Sequence, residues 1–310
     1  MMARPRWPSP LALLSPINLF QFQLGSLAQG RPLVGGQAVI EGVMMRCGER
    51  VSVAVRRPGS GEIVTRELRP FRRGRRLSKI PFIRGVYNLF DVLVLGVKAL
   101  NLSANLALEE EEESFGPLEL ALTLTLAMGI AIGGFFILPL WLVNLFASET
   151  GAVLFNLMEG AIRTGIFLLY LWGISLLREI RRVFEYHGAE HKSIHTFEHG
   201  EELTPQNARK YTTLHPRCGT SFLLLVVVIS ILVFSLVGNP PLPWKILSRV
   251  LLLPVVAGLS YELLMLSGRH TSSRCVRALS APGLWLQRLT TREPDDRQLE
   301  VALTALRAVL

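Results

Sequence analysis

Cysteine is scarce. There are three in 310 residues, Cys47, Cys218 and Cys275, an odd number set far apart. That excludes a disulfide framework and fits a reducing, cytosol-facing setting. No A-x-A-like cleavage site follows the arginine-led start MMARPRWPSPLALLSPINLF, and Pro8, Pro10 and Pro16 interrupt its apolar stretch. Residues 1–33 therefore read as a poorly ordered arm rather than a removable signal. No aromatic platform or nucleic-acid motif accompanies the basic cluster Arg69, Arg72, Arg73, Arg75, Arg76 and Lys79. Nucleic acid is not expected as a partner, whereas the anionic headgroups of a lipid bilayer are. The absence of an internal repeat and of many mid-membrane charges disfavours a transporter.

What is abundant is apolar. Half the residues are hydrophobic, the formal net charge is +9, and mean hydropathy is +0.37, which points to a membrane protein. Residues 34–80 form a small basic β unit: QAVIEGVMMR and RVSVAV are β-prone, Arg56–Glu62 is a turn, and IVTREL is a return strand. In 81–113, Asn88, Asp91, Lys98, Asn101 and Asn105 fall near one helical stripe. The segment reads as an amphipathic interfacial or helix-packing element ending in the acidic linker Glu109–Glu113. Four runs, 118–146, 157–177, 220–238 and 246–268, each supply the roughly 20 residues a bilayer requires.

Short connectors make two transmembrane hairpins, within 114–177 and 220–268. Residues 1–84 hold fifteen Lys and Arg, 178–219 seven and 267–310 seven, against one in the two connectors. Positive charge stays inside, so both termini and the 178–219 loop face the cytoplasm or stroma. In the 269–310 tail, Pro294 precedes a helix with Asp295 and Asp296 in its first turn and one apolar face of Leu299, Ala302, Leu303, Leu306 and Leu310. The fold class is an α-helical polytopic membrane protein of about four transmembrane helices with a small α+β cytoplasmic unit.

The chemistry concentrates in EYHGAEHKSIHTFEHG, 185–200. Five of the six histidines lie between His187 and His215. A helix continuing from the second span would set His187, His191 and His195 along one face, drifting about 40° per step. His187, Glu190 and His191 form H-x-x-E-H, in which two imidazoles at i and i+4 hold a zinc-type ion and the carboxylate acts as general base. Gly188 weakens this helix by about 1 kcal/mol, and Gly200 is a natural stop. Thr204 and Pro205 start a second helix that ends at His215, before Pro216. His215 and Cys218 then stand in a turn leading into the third span. They, or His195, would complete a metal site if the second and third spans pack together. Lys192 or Arg217 would offset developing negative charge. Glu41 is either an exposed strand residue or part of a site. Glu262 is an intramembrane carboxylate that is a distant ligand or pairs with Arg or Tyr. Glu159 and Arg163 pair with each other, and His270 lies at the surface.

The segments GGQAVIEGVMMR, YHGAEHK, GEELTPQNARKYTTLHPRCGTSF, YELLMLSGR and APGLWLQRLTTREPDDRQLEVAL resemble the YqhQ-like family of bacterial membrane proteins with plastid relatives. The resemblance runs from about Val34 to the C-terminus. It implies an integral membrane protein of a bacterial plasma membrane or plastid membrane, in a family described as a predicted metal-dependent enzyme. Its motifs point here to His187, Glu190, His191, Lys192, His215, Arg217 and Cys218. The expected function is a zinc-type, metal-dependent hydrolase at the cytoplasmic face, acting on a membrane-protein or lipid substrate. The alternative is a non-catalytic scaffold or assembly factor with a structural metal or none.

Overall fold

The computed structural model describes residues 32–70, 82–107, 117–238, 240–269 and 274–310. Most of the expected N-terminal arm, the basic residues Arg72–Lys79, the run Glu109–Glu113 and His270 lie outside the described residues.

Strands β1 (Val34–Val39), β2 (Gly42–Cys47), β3 (Arg50–Arg56) and β4 (Ile63–Glu67) form an antiparallel meander in the order β1-β2-β3-β4. The run QAVIEGVMMR is thus not one strand. It folds back at Ile40–Glu41, pairing Val39 with Gly42 and Val34 with Cys47. Glu41 adopts a left-handed backbone, φ 52°, a conformation that glycine takes at no steric cost and glutamate does not. The only turn-type residue at this bend is Gly42 at its last position, so the sequence reads as continuous strand.

Both sheet faces are covered. Helix α1 (Ile83–Ala107) sets Leu95 and Ala99 against Val39, Met44, Val51, Val53 and Val55. The opposite face, with Val43, Met45 and Ala54, packs on two helices introduced below. Two members of the polar stripe of α1 are used in packing: Asp91, buried, pairs with Arg46 at 2.8 Å, and Asn88 donates to the Tyr261 hydroxyl at 2.7 Å, whereas Lys98 is exposed.

Among the described residues, three helical stretches are long and apolar enough to cross a bilayer by length and composition: α1, which its polar stripe marks as interfacial or helix-packing, Ala121–Ala147 and Ala152–Ile174. The second comprises α2 (Pro117–Ile132), a π turn at Gly133–Ile137 and α3 (Leu138–Ala147). Pro139 explains the π turn. It lacks an N–H and crowds the carbonyl four residues back, that of Phe135. The released Phe135 carbonyl accepts from Arg163 Nε at 2.9 Å. The third stretch is α4. After α7 (Gly219–Leu236), the run 246–268 is not one straight helix. It is α8 (Leu242–Leu251) and α9 (Leu253–Arg269), bent by 46°, with Pro254 as the second residue of α9. Counted as one span, the pair brings the total to four.

The Glu159–Arg163 pair gains a third member. Glu159 also binds Arg249 of α8 at 2.6 Å, Arg249 reaches Asn156 at 2.6 Å, and Arg163 reaches Ser230 of α7 at 3.3 Å. Glu159, Arg163 and Arg249 are all buried; the carboxylate joins α4 to α8 directly and α7 through Arg163.

The helix of α4 does not run on into the histidine segment. Leu177 is extended, with ψ 135°, and α5 (Arg178–Glu198) starts afresh. The second loop helix, α6 (Pro205–Ala208), is only one turn, capped by Thr204. It ends well before His215, because the following residues lie along α5 and supply it with carbonyl acceptors. The APGLWLQRL segment is part of a continuous helix, α10 (Arg274–Thr290). Helix α11 (Asp296–Arg307) carries a capping box, Asp295 with Gln298. It buries Leu299, Val301, Ala302, Leu303 and Leu306 against Tyr186, Ala189 and Ile194 of α5 and the sheet. Leu310, expected on that face, is exposed.

Between α10 and α11 the chain straps across α5: the Arg292 N–H donates to Phe184 O at 2.9 Å. A Cβ at Gly188 would stand 2.0 Å from Arg292 O. Gly188 therefore weakens the helix in isolation but permits this approach. Gly188→Ala is expected to lower the thermal midpoint of the detergent-purified protein sharply. Gly165→Ala in α4, where a Cβ meets nothing within 4 Å, should leave the midpoint unchanged or raise it, through a stability gain of up to about 1 kcal/mol. Glu159→Ala should destabilise by about 3–5 kcal/mol, because it leaves two arginines buried without their carboxylate.

Candidate metal centre

From Tyr186 to Thr196, α5 is buried almost all round. The exposed polar helix that its composition describes is instead the middle of the molecule. On one side lies the sheet, on another α11, and over the histidine face lies the segment Tyr211–Cys218.

Main-chain carbonyls set the histidine tautomers. A carbonyl oxygen can only accept, so each ring nitrogen facing one carries the proton. His187 donates from Nδ1 to Thr290 O at 2.8 Å, and His191 donates from Nδ1 to Thr213 O at 2.5 Å. Both rings therefore present Nε2 as a lone pair. His187 Nε2 lies 3.2 Å from Cys218 Sγ. His191 Nε2 is buried without a hydrogen-bond partner among the described residues. The donor atoms of His187, His191 and Cys218 all lie within 4.8 Å of one another.

His215 does not complete that trio. Its ring is 5.6 Å from that of His191 and 4.7 Å from that of His195, centroid to centroid. It groups with His195 and Glu198, again within 4.8 Å. His195 was expected at the margin and Glu198 not at all, although Glu198, three residues after His195, shares its helical face. His215 is clamped from behind by the buried Gln287, which accepts its N–H and donates to its carbonyl, each at 2.8 Å. His199 caps α5 and bonds back to His195 O at 2.7 Å.

A cavity of about 390 Å³ opens on the first trio. Its walls include β1 from Val34 to Ala38, Val92 of α1, Val183 and Phe184, with Glu190, His187, His191, Arg217 and Cys218. The Glu190 carboxylate accepts the Gly36 N–H, and burial pushes it up to about 8, with Cys218 adding to the rise and His187 opposing it. A Cβ at Gly36 would lie 2.9 Å from Glu190 Cγ and 2.7 Å from Met44 O, so glycine is needed for the acid to sit there.

Arg217 lines the cavity and is ion-paired with Glu198. Lys192 stands apart from the cavity-lining residues. It is buried, ion-paired with Glu293 and bonded to Arg209 O at 3.2 Å, so it fastens the strap. Glu41 is held in its turn by Arg182 at 2.6 Å and Tyr186 at 3.3 Å. Glu262 pairs with Arg84 at 2.7 Å. Neither carboxylate joins the histidines.

Burial holds His191 well below its usual 6.5, and the neighbouring His187 and His215 add to this. It lowers His195 to about 3 and His215 to about 4. All three are neutral imidazoles at pH 7, the form that ligates metal. In metal-free protein the unfolded chain takes up these protons near pH 6.5 and the folded chain resists, so stability falls as pH drops from 6.5 toward 4. Glu190 acts in the opposite sense, favouring the fold as pH falls from 8 to 4.5, but three histidines outweigh one acid below 6.5. The thermal midpoint of chelator-treated protein, followed by tryptophan fluorescence, should therefore peak near pH 6.5. His195→Gln should flatten the acid limb.

No solved structure matches the chain significantly. It is 35% identical over 297 residues to the Uncharacterized protein YqhQ of Bacillus subtilis (strain 168), across 90% of this chain and 92% of that one. The family described as "Protein of unknown function (DUF1385)" matches residues 80–310, which include every histidine and Cys218. The chain belongs to this DUF1385, YqhQ-like family.

Proposed function

We propose that the protein is a metal-dependent hydrolase of a membrane surface, with one divalent ion of the zinc type held by His187, His191 and Cys218 beside the cavity. The observation that carries this reading is the pair of Nε2 lone pairs, fixed by carbonyls behind each ring and converging on a thiol. Metal-ligating histidines are oriented in this way by the acceptor on their other nitrogen. Two imidazoles and a sulfur suit zinc better than magnesium or calcium, and three protein donors beside a cavity leave a position for substrate.

Such an ion, when bound, supplies Lewis acidity toward a carbonyl or phosphoryl oxygen and lowers the pKa of water. The chain's own residues do the rest. On the same cavity wall, Glu190, whose carboxylate form a cation held beside it favours, takes the proton of the attacking water and returns it to the leaving group. Arg217 offsets negative charge growing on the substrate. The apolar walls from Val34, Val92, Val183 and Phe184 exclude bulk water and accept an apolar substrate segment, whether of a lipid or of a membrane protein. The lysine and arginine bias supports a cytoplasmic or stromal position for this centre and both termini.

Metal analysis of detergent-purified protein should give close to one equivalent or more in the wild type and a clear loss in both His187→Ala and His191→Ala. Glu190→Gln should keep the metal. Against a panel of esters, peptides and phospholipids, it should lower metal-dependent hydrolysis on the order of 100-fold or more. Wild-type protein with far less than one equivalent, unchanged by either histidine variant, sinks the metal site. Retained metal with no hydrolysis in any arm points to a scaffold with a structural ion.

A further inference from the structure

We propose that α5 and the segment packed on it hold a second metal ion, ligated by His195, Glu198 and His215 and set behind the first; of the three, His215 alone lines the cavity. This rests on the reading of the His187–His191–Cys218 trio as a metal site and extends it along the same helix face. The three donors lie within 4.8 Å of one another and all three residues are buried. His195 donates from Nε2 to Leu214 O at 3.0 Å, which makes Nδ1 its lone-pair nitrogen. Glu198 has its two oxygens divided: Oε1 is taken by Arg217, and Oε2 faces His215 Nε2 at 3.5 Å. Arg217 thereby orients the carboxylate, as groups hydrogen-bonded to metal-ligating carboxylates do.

The two sites differ in what binding demands. His187 and His191 already present their lone pairs. The His215 Nδ1 instead accepts the Arg217 N–H at 3.3 Å, so ligation through Nε2 requires the ring proton to move to Nδ1 and that long contact to be lost. The trio therefore fills first and the buried site second. His195 and Glu198 do not line the cavity. The second ion fastens the Tyr211–Cys218 segment to α5 and so holds in place the Thr213 carbonyl and Cys218 of the first site.

The test is a cobalt(II) titration of chelator-stripped, full-length protein in detergent. The first equivalent should bring a thiolate-to-cobalt charge-transfer band. A second equivalent should bind without that band and raise the thermal midpoint further. His195→Gln and Glu198→Gln, the latter keeping an oxygen for Arg217, should both remove the second phase and leave the first. Saturation at one equivalent overturns the second site, as does a second phase that both variants retain. Absence of the charge-transfer band in the wild type instead defeats the first site, and the second with it.

Discussion

Backbone pressed against a helix is the constraint on which the rest depends. Thr290 O and Thr213 O approach α5 closely enough to accept from His187 and His191, and Leu214 O does the same for His195. Imidazole nitrogens are interchangeable until something chooses between them. Here the choice is made by main chain, which a point substitution does not alter chemically. The approach needs space, and Gly188 supplies it under Arg292. Gly36 does the same service under Glu190. Two glycines without chemistry of their own thus admit the groups that orient the chemical ones.

That arrangement also explains why a helix with so many polar residues is buried. Each ring is satisfied on one nitrogen by a carbonyl, Lys192 is neutralised by Glu293, and Glu198 by Arg217. Among the described residues, His191 Nε2 and the Ser193 hydroxyl are buried without a hydrogen-bond partner, and the former stands beside a thiol. A buried, unpaired acceptor costs roughly 1–3 kcal/mol, which the fold carries at a cavity wall. A cation there would remove that cost and raise stability by mass action.

Among the apolar helices the same accounting of polar groups applies. Pro139 releases the Phe135 carbonyl, and Arg163 uses it. Glu159 then ties Arg163 and Arg249, so that α4, α7 and α8 are joined by a network rather than by apolar contact alone. Helix α7 in turn has Cys218 as its N-cap. The packing of α4 on α7 thus bears on where that thiol stands relative to α5.

Local patterns determined much of this protein. Apolar run lengths marked the stretches that form α2 to α4 and α7 but not the break between α8 and α9, and turn residues marked the β3–β4 hairpin. The i, i+4 spacing placed His187, His191 and His195 on one face, because 3.6 residues per turn requires it. Thr204–Pro205 announced its cap, because a cap is a contact between near neighbours in sequence, whereas Asp295, read as a first-turn residue, is the N-cap itself and is boxed with Gln298. The bend at Glu41, the break at Leu177 and the shortness of α6 were not legible, since each is imposed by what packs against it. The grouping of donors was decided only in three dimensions. Cys218 joins His187 and His191, whereas His215 turns to His195 and Glu198. That division depends on how the Tyr211–Cys218 segment lies on α5 and on the grip of Gln287, 72 residues away. Spacing along a chain ranks which residues can meet. Which lone pairs actually face one another is decided by the partners at their other ends.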